Sequence, residues 1–179
     1  MAAFFTRRGK QERAAFQLYT AAVAAARDPY LYTHLGVPDT LDGRFDAICI
    51  YVYLLIRHVG PQDAALAQSV FDAMFHDMDV NLREMGVGDL SVGKRNRKMW
   101  EAFHGRSAAY AAAWDDPSGL AAALSRNVWR GGNVATEACT TLARIARTQA
   151  VCLAQQPIET IRDGDVRFLP AEEAANAPA

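Results

Sequence analysis

The sequence has no surplus of either charge. Nineteen lysines and arginines stand against 20 aspartates and glutamates, a formal net charge of −1, which removes any global electrostatic case for binding DNA. Long apolar runs are also missing. The longest, Ala47 to Ile56, stops at Arg57 and His58, well short of the roughly twenty residues needed to cross a bilayer. There are three cysteines, Cys49, Cys139 and Cys152, and no Cys-x-x-Cys pair. An odd, scattered set excludes a disulfide framework or zinc knuckle, fits a reducing compartment, and leaves each thiol as a small core residue. Catalytic loops are absent as well. Gly86-Val-Gly88 lacks a third glycine and a preceding strand, and no serine stands in a Gly-x-Ser-x-Gly elbow. The opening segment is not a secretory signal, because no apolar stretch follows Arg7 and Arg8. Phe4 and Phe5 beside those arginines suit a weak contact with an anionic surface.

What is present is enough apolar material for one packed domain: 51% hydrophobic and 22% charged residues over 179 positions. Charge is uneven along the chain. Residues 39–79 carry seven aspartates against Arg44 and Arg57, whereas residues 83–106 carry six basic side chains against three acidic ones. These blocks read either as solvated helix faces or as an acidic and a basic side.

Punctuation divides the chain into about six helices, an all-α single-domain bundle. The first runs from about Thr6 to Arg27, with Phe16, Tyr19 and Val23 on one stripe, and is followed by a helical turn from Tyr30 to Leu35. The second, about Leu41 to Val59, has Thr40 as its N-cap and is apolar nearly all round, the mark of a central helix. Gly60-Pro61 breaks the chain. The third, about Gln62 to Met85, places Phe71, Met74, Phe75, Met78, Leu82 and Met85 on one face, and Gly86 stops it in the left-handed conformation. The fourth runs from about Ser91 to Trp114, and its Trp100, like Phe71, is expected in the core. Asp116-Pro117 opens the fifth, to about Arg130. Asn133 caps the sixth, about Val134 to Gln156. The helical domain is thus expected over 1–157. In the 158–179 tail, Val166 to Leu169 reads as a short strand or an extended arm, and Pro170 to Ala179 as disordered.

On a helical wheel Asp72, His76, Asp79 and Arg83 share one stripe beside the apolar face of the third helix. Glu101 and His104 form a Glu-x-x-His on the fourth. Carboxylates and histidines on facing helices are how bundles hold metals, but a di-iron site needs a second Glu-x-x-His and two further glutamates, and neither is found. The simpler reading is an i,i+4 ion pair from Asp79 to Arg83 and a polar contact between Asp72 and His76. The densest basic run, Lys94-Arg95-Asn96-Arg97-Lys98, lies near a helix start, where cations oppose the macrodipole. It suits either a solvated helix start or an anionic partner: ribosomal RNA, lipid headgroups or an acidic protein face.

Gly36-Val-Pro-Asp-Thr-Leu-Asp-Gly-Arg-Phe45, Phe71-Asp-Ala-Met-Phe-His-Asp-Met-Asp79, Leu82-Arg-Glu-Met-Gly-Val-Gly-Asp-Leu90, Phe103-His-Gly-Arg106 and Ala123-Leu-Ser-Arg-Asn-Val-Trp129 together resemble the ubiquinol–cytochrome c chaperone family in its bacterial form, over about residues 10–135. The resemblance implies a non-enzymatic chaperone, without catalytic residues or cofactor, that binds newly made cytochrome b and assists assembly of the bc1 complex. It further implies work on the cytoplasmic face of the inner membrane, peripheral to it and close to the ribosome exit. A client-binding surface is expected around Asp72, His76, Asp79, Arg83, Gly86, Asp89, Lys94 and Arg95, with Met74, Met78, Met85 and Met99 as adaptable apolar contacts or ordinary core. Two other readings are a helical metal-binding enzyme using Asp72, His76, Asp79, Glu101 and His104, and a ribosome-associated adaptor using the basic patches.

Overall fold

The structure, a computed structural model, describes residues 2–132 and 134–178, with side chains from residue 9 onward. Phe4, Phe5, Arg7, Arg8 and the Asn133 cap therefore lie outside the described side chains. Among the described residues there are nine helices and no strand: α1 (Ala2–Ala26), α2 (Pro29–Thr33), α3 (Leu41–Val59), α4 (Ala64–Glu84), α5 (Asp89–Ala112), α6 (Pro117–Val128), α7 (Thr136–Ala154), α8 (Ile158–Arg162) and α9 (Ala171–Asn176). The all-α bundle read from the sequence is the fold.

The centre is α3. It is buried almost throughout, from Phe45 to Leu55 without a break, because it has no polar face long enough to meet water. Helices α1, α4, α5, α6 and α7 all pack against it. Local chemistry starts the helices where the residues demand. Thr40 accepts from the Gly43 N–H at 3.1 Å, Asp63 from Leu66 at 3.0 Å, and Asp116 from Ser118 at 3.0 Å, each satisfying an amide with no partner inside its helix. Gly43 also lets the preceding loop close over α3. A Cβ there would sit 2.0 Å from the Pro38 carbonyl oxygen. Gly86 has φ +77°, the left-handed stop expected of it.

Two parts depart from the sequence reading. Phe16 and Trp100 are about half exposed, at 50% and 46%. The buried face of α1 is instead Ala15, Leu18, Tyr19, Ala22 and Ala26. Trp100 lies at the margin of α5's buried face: Met99 and Ala102 beside it pack partly against the core, and its ring lies instead against exposed His104.

The second departure is the tail. Residues 158–162 are helical, and 171–176, expected to be disordered, form α9 with Ala171, Ala174 and Ala175 buried. Small side chains let α9 lie directly on α7. Between α8 and α9 the chain is extended, and two glutamines, Gln149 within α7 and Gln156 just past its end, hold it as a neighbouring strand would. Gln149 donates from Nε2 to the Leu169 carbonyl (2.7 Å) and accepts from the Leu169 N–H (3.0 Å). Gln156 does the same with Arg167, at 2.8 Å both ways. Phe168, on the alternate side, meets the edge of Tyr51 at 5.2 Å between ring centroids. Asp28 completes the attachment by accepting from the Ala171 N–H at 2.8 Å.

Candidate functional site

The α4–α5 hairpin carries the residues singled out in the sequence. Its stem packs on the core through Val70, Met74 and Phe103, whereas Leu82 and Val92 are buried further out, apart from that core. An ion-pair clamp fixes the turn. Asp79 accepts from Arg83 Nε at 2.6 Å and, across the hairpin, from Asn96 Nδ2 at 2.8 Å. The same arginine reaches Asp89 in the first turn of α5 through Nη1. Arg83 is thus shared between two carboxylates, one from each helix, and its guanidinium stays firmly protonated because both accept from it.

The structure brings Asp79, Arg83, Gly86 and Asp89 together at one turn. It leaves Asp72 and His76 exposed on the flank of α4, with Asp72 accepting from Gln68 at 2.8 Å. Lys94 and Arg95 are exposed on α5. That helix begins at Asp89 rather than Ser91, so the basic run starts beyond the first turn, where the macrodipole penalty has largely faded. Glu101 pairs with Arg97 at 3.1 Å. His104 stacks into a ring cluster, 4.0 Å from Trp100 and 5.4 Å from Phe71 between centroids. Among the described residues no three His, Cys, Asp or Glu side chains converge as a metal ligand set.

Apolar exposure is concentrated on this hairpin. Of the seven large hydrophobic side chains exposed among the described residues, Val80, Met85, Leu90 and Trp100 lie on it, and Leu90 is 97% exposed. Met74, by contrast, is fully buried, and Met78 and Met99 pack partly against the core. The turn therefore offers oily side chains beside cations on a braced support.

Sequence reading missed two polar links. Tyr19 of α1 donates to Asp77 of α4 at 2.7 Å; burial, reinforced by that bond, pushes its phenol well up. The other centre is Asp46, which has no exposed surface. Its Oδ1 accepts from Arg106 of α5 at 2.5 Å, and its Oδ2 lies 3.5 Å from Arg130 just past α6. Arg130 also reaches Asp42 at 3.0 Å. Burial raises the Asp46 carboxyl above the ordinary range, and Arg106 and then Arg130 pull it partly back. The available signal was an aspartate inside the most apolar helix, because such a residue requires a buried cation. Cys49, one turn on, is fully enclosed, and burial holds it as a thiol.

The model of the family described as ubiquinol–cytochrome C chaperone matches residues 33–168, from the end of α2 into the extended arm. The chain belongs to that family. The match takes in α7, whose Ala-rich sequence after Gly132 is less diagnostic by eye. Among solved structures, the Cbp3 homolog from Brucella abortus superposes with a TM-score of 0.82 at 34% identity, covering 96% of this chain and 98% of the other. No curated protein matches. Among the described residues no helix is long and apolar enough to cross a membrane.

Proposed function

We propose that this family member is a non-enzymatic assembly chaperone that binds unassembled cytochrome b on the way to the bc1 complex, and that the tip of the α4–α5 hairpin is where it does so. The observation that carries this reading is the coincidence of Val80, Met85, Leu90 and Trp100, exposed, with Lys94 and Arg95 on a hairpin braced by Arg83. Large exposed apolar side chains on a soluble domain are sites for partners. A helix pair emerging from a membrane protein presents apolar residues next to charged ends, and both find complements here. Asp72 and His76 flank the same helix and extend the surface; Asp79, Arg83, Gly86 and Asp89 shape the turn. Work beside the inner membrane and the ribosome exit follows from the client rather than from any feature of the fold.

Photocrosslinking tests the proposal. A photoreactive residue at position 90 is expected to capture newly made cytochrome b, and one at position 16, on the exposed face of α1, is not. Equal capture at both positions, or none at 90, removes the hairpin from the account. Deletion of the gene with full retention of bc1 b-haem absorbance removes the assembly role. A contact with the ribosome alone would weaken steeply as salt rises, and an apolar contact would not.

A further inference from the structure

Two hollows in the surface hold clusters of charge, and they differ in how that charge is settled. The one between α1, α4 and α8 is internally neutralised: Lys10 pairs with Asp163, and Arg162 with Asp63 and Glu159. The other, about 420 Å³ between the start of α3, the middle of α5 and the end of α6, is not. Four cations line it: Lys98, Arg106, Arg126 and Arg130. Asp42 and the buried Asp46 answer Arg106 and Arg130. Among the described residues Lys98 and Arg126 have no carboxylate partner. The hollow thus keeps an excess of two positive charges, one on each wall, over apolar surface from Phe45, Met99 and Ala102.

One wall includes a backbone position in an unfavourable conformation. Arg130 has φ +54°, the one described non-glycine residue with positive φ, a conformation that costs an L-residue about 1–2 kcal/mol. There it sets its guanidinium against both Asp42 and Asp46. Arg106 is fixed from beneath by the same Asp46, its ring-stacking position lying 5.6 Å over Phe45. With Arg106 and Arg130 held by these carboxylates, Lys98 and Arg126 are the cations left to meet an incoming carboxylate.

We propose that this hollow is a docking slot for a short acidic segment of another protein, its carboxylates meeting Lys98 and Arg126 and an apolar side chain seated between Phe45 and Met99. A recessed slot between helices disfavours a lipid surface, which needs a flat or protruding face, and the alternation of charge with oil favours a peptide over a bare anion. The inference does not depend on which protein the hairpin tip receives.

The probe is a fluorescein-labelled peptide of alternating Glu and Leu, with its Gln–Leu counterpart as control and vesicles of phosphatidylglycerol as a third arm, all titrated against the full chain. The acidic peptide is expected to bind and the neutral one not to. Lys98→Glu with Arg126→Glu is expected to weaken binding by about tenfold or more, and Ala102→Trp, which fills the slot without altering charge, by a similar factor. Arg13→Glu with Arg167→Glu, an equal charge change on exposed residues elsewhere, should leave it unaltered. Circular dichroism of each variant separates lost binding from lost fold. Equal weakening by both charge-reversal pairs would assign the effect to overall charge and overturn the proposal. So would indifference to Ala102→Trp, or vesicle binding that depends on Lys98 and Arg126 without peptide binding.

Discussion

Asp46 and Arg106 form an ion pair inside the bundle, 2.5 Å from Oδ1 to Nη2, with the carboxylate wholly enclosed. It joins the central helix to α5 at the foot of the hairpin. The pair holds position more than it adds stability, because desolvating two charges offsets most of their attraction.

Removing one partner is therefore expected to be worse than removing both. Asp46→Leu or Arg106→Met alone, each of which strands the other partner, should lower the unfolding free energy by about 3–5 kcal/mol. Asp46→Leu combined with Arg106→Met should recover most of that loss. Urea denaturation of the two single variants and the double variant gives the coupling, and a double variant as unstable as the sum of its parts would contradict the pairing.

The same carboxyl makes stability depend on pH in an unusual direction. Its folded-state pKa is raised, burial being the main cause, so between its unfolded and folded values the native chain holds a proton that the unfolded chain has released. The contribution of Asp46 is then greatest below the unfolded value, declines as pH rises through the folded one, and is level above it. Carbon NMR of the Asp46 side chain should show a midpoint above about 3.9, the ordinary aspartate value. A midpoint below it would mean that the arginines dominate.

Arg83→Ala should leave the melting temperature nearly unaltered, since its pairs are exposed, yet speed amide exchange at residues 85–91 by removing the brace between Asp79 and Asp89. Exchange unaffected at that turn would show that Leu82 and Val92 suffice to hold it.

Arg130 reverses an ordinary preference. Arg130→Gly and Arg130→Ala both lose the bridge to Asp42 and Asp46, but alanine keeps the left-handed strain. The glycine variant should be more stable than the alanine variant by about 1 kcal/mol, as read from thermal melts.

Gln149→Leu leaves the Leu169 N–H and carbonyl without their partners, which should cost about 1–3 kcal/mol. The arm from 163 to 170 should then be cut faster in limited proteolysis, with α7 intact.

The helices were legible because punctuation and periodicity are local. Thr40, Gly60-Pro61, Gly86 and Asp116-Pro117 mark boundaries by their own backbone chemistry, and α3 declared itself central by lacking a polar face. The Asp79–Arg83 pair was legible for the same reason, being one turn apart. Asp77 with Tyr19, and Asp46 with Arg106, lie 58 and 60 positions apart; no periodicity within a helix predicts such partners. The tail misled because alanine, proline and glutamate read as disorder when nothing local shows that Gln149 of α7 and Gln156 past its end will hold the arm. Trp100 misled because it stands at the margin of α5's apolar arc, where Met99, Ala102 and Phe103 take the core-facing positions.

The arm's attachment has a consequence for how the molecule can come apart. In a sheet, freeing an edge strand strips hydrogen bonds from its neighbour's backbone. Here the neighbour is α7 and the residue just past its end, and Gln149 and Gln156 lend the arm only their side-chain amides. The last stretch of chain can unbutton while α7 remains whole, so the molecule can open at one end without its scaffold taking part.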